Sequence, residues 1–386
     1  MSTVMPGNVR LLGPRPAARA VPLVDLAPQQ AAVATEVSAG WQRVLASSSF
    51  SGGPEVCSFE EKYADYAGVR HCAGVASGTD ALEIALRALG IGPGDECILP
   101  ANAFVGTAEA VSRAGATPVL ADCADDGTYL VDPAAVEAAV TPRTRAIIPV
   151  HLYGQAAPVE RLLPLARRIG AWVVADAAHS PGARRDGMST GALGHAAAAS
   201  FGPGRNLGAY GDAGAVLTSS DDAAARIRMI RDHGSARSQH HELPGLSSRL
   251  DALQAVVLSA KLRRLPAWNE ARRQAAARYE TLLAPLVEVL RPRTLAGNEH
   301  VWHRYVVRVP DRDRVLAELQ AAGIGAGIHY PVPIHLTPAF AGLGYQRGDF
   351  PAAEQAAAEL LSLPLFPGIT AEQQERVATE LAAALP

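Results

Sequence analysis

The stretch SFGPGRNLGAYGDAG, residues 200–214, sets a hydroxyl (Ser200), a guanidinium (Arg205) and several glycines close together. Glycine lets a backbone come close to a ligand, and the serine and arginine together point to an anionic one. The loop has the shape expected around a phosphate and a reactive amine, yet no lysine lies between Lys62 and Lys261. A guanidinium stays charged and has no amine able to form an imine, so this loop can clamp an anion but cannot tether an aldehyde. The plainer reading is an ordinary glycine-rich turn.

Two further stretches could do chemistry. In GVASGTDALEIAL, residues 74–86, a strand passes through a tight turn into a helix, so Ser77, Gly78 and Thr79 offer N–H groups and hydroxyls at a helix N-terminus, an anion site. A simple N-cap by Ser77 or Thr79 explains the same residues. In VVADAAH, residues 173–179, Asp176 ends an apolar strand at the carboxyl edge of a sheet, where open α/β folds bind ligands. The protonated ring nitrogen of a cofactor would partner that carboxylate; a capping or salt-bridged aspartate is the alternative. His179 is equally readable as a satisfied polar residue.

The elements that must position these residues follow from periodicity. Short apolar runs (HCAGVA, ECILP, TPVLAD, AIIPVHLY, AWVVAD, AAAASF, AGAVLTS) alternate with stretches whose apolar residues recur three and four apart, the pattern of βαβ units. The expected fold is α/β, a three-layer domain on a mostly parallel seven-stranded sheet, with a smaller C-terminal α+β domain. A long helical stretch from Leu250 to about Leu286, interrupted near Pro266, joins them. In the second domain HRYVVRV and GAGIHYP read as strands, and DRVLAELQAAG, AAEQAAAELLSL and AEQQERVATELAAAL as helices. The expected boundaries are a mobile tail at 1–20, a large domain at 21–250, and a small domain with the linking helix at 251–386.

Composition narrows the partners. The 35 basic and 38 acidic residues are interspersed, which argues against a nucleic-acid stripe or a membrane-surface patch. No run approaches the roughly 20 apolar residues of a membrane helix, and the first twenty residues do not form a signal peptide, so a cytoplasmic protein is expected. Cys57, Cys72, Cys97 and Cys123 lack metal-ligand spacing and read as reduced core residues.

Taken together, in this order and spacing, these segments resemble the DegT/StrS group of nucleotide-sugar aminotransferases, fold-type I enzymes of pyridoxal phosphate (PLP). The similarity spans nearly the whole chain, through SGGPEVCSFEEKYADYAGVRHCAGVASGTDAL, TPRTRAIIPVHLYGQ, SRLDALQAVVLSAKLRRLPAWNEARR and GIHYPVPIHLTPAF. The resemblance implies that Gly78, Thr79 and Ser200 bind the cofactor phosphate and that Phe104 stacks on the ring. Asp176 would pair with the ring nitrogen, and His179 would sit near the ring hydroxyl. His329 and Tyr330 would close over the sugar, and the site would form between two subunits of a homodimer. The pattern is broken at four places: Arg205 stands at the Schiff-base lysine, Ala213 at a glycine, Ala175 at an acidic residue, and Ser247 at an asparagine that would reach the neighbouring subunit's phosphate.

The expected protein is therefore a lysine-less member of specialised-metabolite biosynthesis. It would act on a nucleotide-linked keto or amino sugar, or a related small molecule, with PLP or its amine form (PMP) bound noncovalently or not at all. Three alternatives stay open. One is a cofactor-free acid–base enzyme (cyclase, dehydratase or isomerase) using Arg205, Asp176 and His179, with His179 as the proton carrier at neutral pH. Another is a noncatalytic partner subunit of an active aminotransferase. The third is an introduced Lys→Arg exchange in an ordinary aminotransferase.

Overall fold

The computed structural model describes residues 20–237 and 240–386; nearly all of the expected tail lies outside them. All seven expected sheet strands form: β1 (His71–Val75), β2 (Glu96–Pro100), β3 (Thr117–Ala121), β4 (Thr144–Ile147), β5 (Trp172–Asp176), β6 (Ala196–Ser200) and β7 (Gly214–Thr218). Their order in the sheet is β1-β7-β6-β5-β4-β2-β3. Pairing is parallel from β6 through β3, whereas β7 runs antiparallel to both β1 and β6. The strands are almost wholly buried, which is why they read as continuous apolar runs rather than as alternation.

Helices cover both faces. The helices α1 (Ala27–Ser47) and α2 (Pro54–Ala67) precede the sheet, and α3 (Gly78–Ala88), α4 (Val105–Arg113), α5 (Pro133–Ala138) and α6 (Val159–Ile169) connect its strands. One apolar core joins α3 and α4 to the sheet; a second joins α1 and α2 to the other face. Past α7 (Asp221–Arg231), the expected linking helix is two helices, α8 (Ala252–Leu262) and α9 (Leu265–Leu283), with Pro266 in the first turn of α9. Helix α8 belongs to the α1–α2 core, while Ala275, Ala276, Tyr279 and Leu283 of α9 enter the core of the second unit. Val21, assigned by sequence to the large domain, enters that second core too, paired through its backbone with Gly323 and Gly325.

The second unit holds β8 (Tyr305–Arg308), α10 (Arg312–Ala321), α11 (Pro351–Glu359), β9 (Leu360–Leu363) and α12 (Ala371–Ala384). Two expectations fail here. The helix expected across residues 352–363 ends at Glu359, because Leu360–Leu363 pair antiparallel with β8 and are buried on both sides, an environment a strand satisfies better than an amphipathic helix. The expected strand GAGIHYP is absent; Gly327 alone bridges to Ser362 before the chain turns toward the cleft. Of the four cysteines, Cys57 is exposed rather than in the core, since it lies on the solvent side of α2. Among the described residues no helix is long and apolar enough to cross a membrane.

Candidate active site

At the carboxyl edge of the sheet, a cleft is lined by Ser77, Gly78, Thr79, Phe104, Thr107, Asp176, Ser200, Gly202, Arg205 and Asp212, with small apolar neighbours. One wall is the start of α3. Ser77 adopts an extended conformation, and its hydroxyl accepts the Asp80 N–H at 3.1 Å, so it is an N-cap. That bond leaves the N–H groups of Gly78 and Thr79, which have no helical acceptor, at the cleft wall. The N-cap is thus observed, and it leaves those N–H groups free for an anion. The turn sits tightly on the sheet. A Cβ at Gly78 would lie 2.5 Å from the Ser200 Cβ, and one at Gly214 would lie 2.3 Å from the Ser77 carbonyl oxygen.

Asp176 ends β5 with a half-buried carboxylate. Thr107, in the first turn of α4, donates its hydroxyl to Oδ2 at 2.8 Å, and the Ala178 N–H donates to Oδ1 at 3.1 Å. These two donors fix the carboxylate's plane and keep it pointed at the cleft. Phe104, just before α4, is 45% exposed although it is a large apolar ring, and its centroid lies 5.2 Å from that of Tyr330. A ring-shaped ligand between Phe104 and Asp176 would cover that exposed surface.

The opposite wall is cationic. Arg205 Nη1 stands 3.2 Å from Nε2 of the buried His303, whose Nδ1 lies 3.2 Å from Oδ1 of Asn206. The Asn206 amide nitrogen is already committed, donating to Asn269 and to the Val301 carbonyl. Its oxygen must therefore take the proton of His303 Nδ1, and His303 Nε2 is the acceptor for Arg205. Burial, then the charge of Arg304, drives His303 well below the ordinary histidine range, so the ring is neutral. His179 is buried as well. Its Nδ1 accepts the Tyr153 N–H at 3.2 Å, leaving Nε2–H facing the Tyr330 hydroxyl at 3.4 Å. Burial, and then Arg205, push its protonation far below neutral pH. His179 is thus a neutral ring at pH 7, with its Nε2–H turned to the Tyr330 hydroxyl.

The remaining expected residues are divided. Tyr330 packs beside Phe104 and meets His179, whereas His329 has its Nδ1 2.8 Å from Ser362 Oγ, and burial holds it at about 4. Ser247 is exposed and does not line the cleft. Its neighbour Ser248 instead takes the Ala76 N–H and donates to Asp80 Oδ2 at 2.8 Å, bracing the α3 turn from behind. Sequence reasoning missed Thr107, Asp212, Ser248, His303 and Arg304. Only His303 left a signal, as the polar residue opening the strand HRYVVRV; the others show no spacing that marks them.

A sequence model described as the DegT/DnrJ/EryC1/StrS aminotransferase family matches residues 32–382. The chain is 46% identical to a "pleiotropic regulatory protein" of Geobacillus stearothermophilus, covering 94% of this chain and 98% of that one. It is 45% identical to a dTDP-3-amino-3,4,6-trideoxy-alpha-D-glucose transaminase of Streptomyces venezuelae, covering 92% and 94%. The crystal structure of S. venezuelae DesV in complex with a ketimine intermediate superposes with a TM-score of 0.92 at 44% identity, covering 95% and 98%. PLP is the family's cofactor, and solved neighbours include forms holding PMP.

Proposed function

Because the chain belongs to the DegT/DnrJ/EryC1/StrS aminotransferase family, we propose that it acts on a nucleotide-linked keto or amino sugar with PLP or PMP held noncovalently. The observation that carries this reading is Arg205, standing in the cleft with Asp176, Thr79 and Ser200, where no lysine lines the wall. The chain's two lysines are elsewhere: Lys62 is exposed on α2, and Lys261 is buried on α8, its amine donating to the Gly208 carbonyl. The residues present fit the cofactor. The Gly78 and Thr79 N–H groups with Ser200 suit its phosphate, the exposed Phe104 face suits its ring, and the carboxylate oriented by Thr107 suits its ring nitrogen.

When bound, such a cofactor supplies an electron sink for chemistry at a sugar carbon bearing an amine or ketone. The chain's own groups do the rest. Asp176 balances the charge of a protonated ring nitrogen, and His179 presents Nε2–H toward the space beside Tyr330. Tyr330 and Phe104 shield the cleft from water on one side. Arg205 holds charge where the relatives' pattern has an amine, so it binds and orients but accepts no proton. A relative named as a dTDP-sugar transaminase supports the sugar substrate, and one named for erythromycin biosynthesis supports a place in specialised-metabolite synthesis. We further propose that the working unit is a cytoplasmic homodimer, in which the exposed Ser247 reaches the neighbouring subunit's phosphate.

The test is a spectrum and an intact mass of the purified protein with and without added PLP. The expected result is saturable binding of PLP or PMP with no borohydride-fixed mass increase. A stoichiometric fixed adduct, or no binding of either form, would overturn the reading.

A further inference from the structure

The cationic wall of the cleft has more charge than the cofactor's phosphate requires. Among the described residues neither Arg205 nor Arg304 has a carboxylate within ion-pair distance, and the buried Nε of Arg304 has no hydrogen-bond partner at all. The two carboxylates on the cleft do not relieve this. Asp176 is turned to Thr107 and Ala178, and Asp212 is exposed, bonded to neither arginine. The three imidazoles around the arginines, His179, His303 and His329, are neutral. Two guanidiniums with no carboxylate partner, beside neutral rings, form an arrangement that a ligand anion completes.

We propose that Arg205, held in place by His303, is an oxyanion clamp for the carboxylate of an acidic substrate, a second anion site in the same cleft as the phosphate-binding turn. His303 Nε2 occupies one guanidinium nitrogen, and its own tautomer is fixed through Asn206, Asn269 and Val301. A second bond goes to the Tyr330 hydroxyl, which leaves part of the planar fork on the cleft wall, a donor set suited to carboxylate oxygens. The phosphate already has its own donors at the start of α3, so the anion left for Arg205 is one carried by the substrate. Arg304 supplies a second positive charge to the same region: burial and the Arg205 charge lower it to about 10, and it remains a cation at neutral pH. Amino or keto acids and uronic-acid sugars carry such a group. His303 is a positioning residue here, acting through Arg205.

This inference rests on the proposed function for its cofactor, and calorimetry separates the two. Glutarate, neutral glutaramide and inorganic phosphate are titrated into the protein, with and without saturating PMP. Glutarate should bind to the PMP-loaded protein and glutaramide should not. Arg205→Gln should weaken glutarate by at least about tenfold, the worth of a charge-assisted hydrogen bond, and Arg304→Gln by a smaller factor. His303→Gln should weaken glutarate while leaving the affinity for PMP in place, which a merely structural loss would not do. Circular dichroism confirms that each variant is folded. Glutarate affinity unchanged in Arg205→Gln, or phosphate competing equally for the loaded protein, would overturn the clamp. Failure of PMP to bind, with glutarate still dependent on Arg205, would overturn the proposed function and leave the clamp standing.

Discussion

The two walls of the cleft are built in different ways. The wall proposed to take the phosphate comes from neighbouring elements of one unit: the β1–α3 turn, the end of β6 and the end of β5, all at the carboxyl edge of one sheet. The cationic wall is assembled from distant segments, Arg205 and Asn206 after β6 meeting His303, Arg304 and Tyr330 from the second unit. The first wall depends on local backbone geometry that any such fold supplies. The second depends on two cores docking, and on a neutral imidazole that only burial can maintain. A cleft can therefore keep the first wall while the chemistry of the facing wall changes.

Restoring an amine breaks this contrast most sharply. Arg205→Lys should give a borohydride-fixed, stoichiometric PLP adduct by intact mass where the parent gives none, because the other features of the cleft remain in place. An unmodified mass for this variant would show that the facing wall had lost the geometry for attachment as well as the amine.

Acid should weaken the protein through its buried histidines. Burial pulls His151 and His329 to about 4 and His300 to about 3, against about 6.5 in an unfolded chain. The unfolded state binds more protons wherever the pH lies below its own value, so stability is full above about 6.5 and falls as the pH drops toward 4. The melting temperature measured across that window should fall steadily; a flat profile would contradict neutral, buried rings.

Smaller effects separate the parts of the phosphate wall. Gly78→Ala forces a methyl to within 2.5 Å of the Ser200 Cβ, so it should cost about 1–3 kcal/mol and loosen phosphate binding, measurable by denaturant melts and PMP titration. Thr107→Val removes one donor from Asp176 and should cost about 1 kcal/mol in PMP affinity, a factor of roughly five, with little change in stability. Equal effects of both variants on glutarate binding would mean that the two walls are not independent.

Much of the fold was legible in the chain. Strands buried on both faces read as apolar runs, and the amphipathic connecting helices read by their three-and-four spacing, so all seven sheet strands were found. The second unit was less legible, because Leu360–Leu363 continues an alanine-rich helical pattern and only pairing with Tyr305–Arg308 makes it a strand. Of the residues lining the cleft, Asp176, Ser200, Gly78 and Thr79 were readable from their places at strand ends and helix starts, and Phe104 only through the resemblance. Thr107 and Arg304 were not, since their roles arise from contacts across the fold rather than from spacing.

By itself the sequence determined the strands of the sheet, the turn at the start of α3 and an arginine in a lysine-free loop after β6, because these depend on residue type and local periodicity. The tertiary structure alone decided that His303 is neutral and braces Arg205, that His179 is neutral as well, and that Ser248 rather than Ser247 supports the α3 turn. Protonation and hydrogen-bond partners are set by desolvation and by neighbours distant in the chain, and folding is what brings them together.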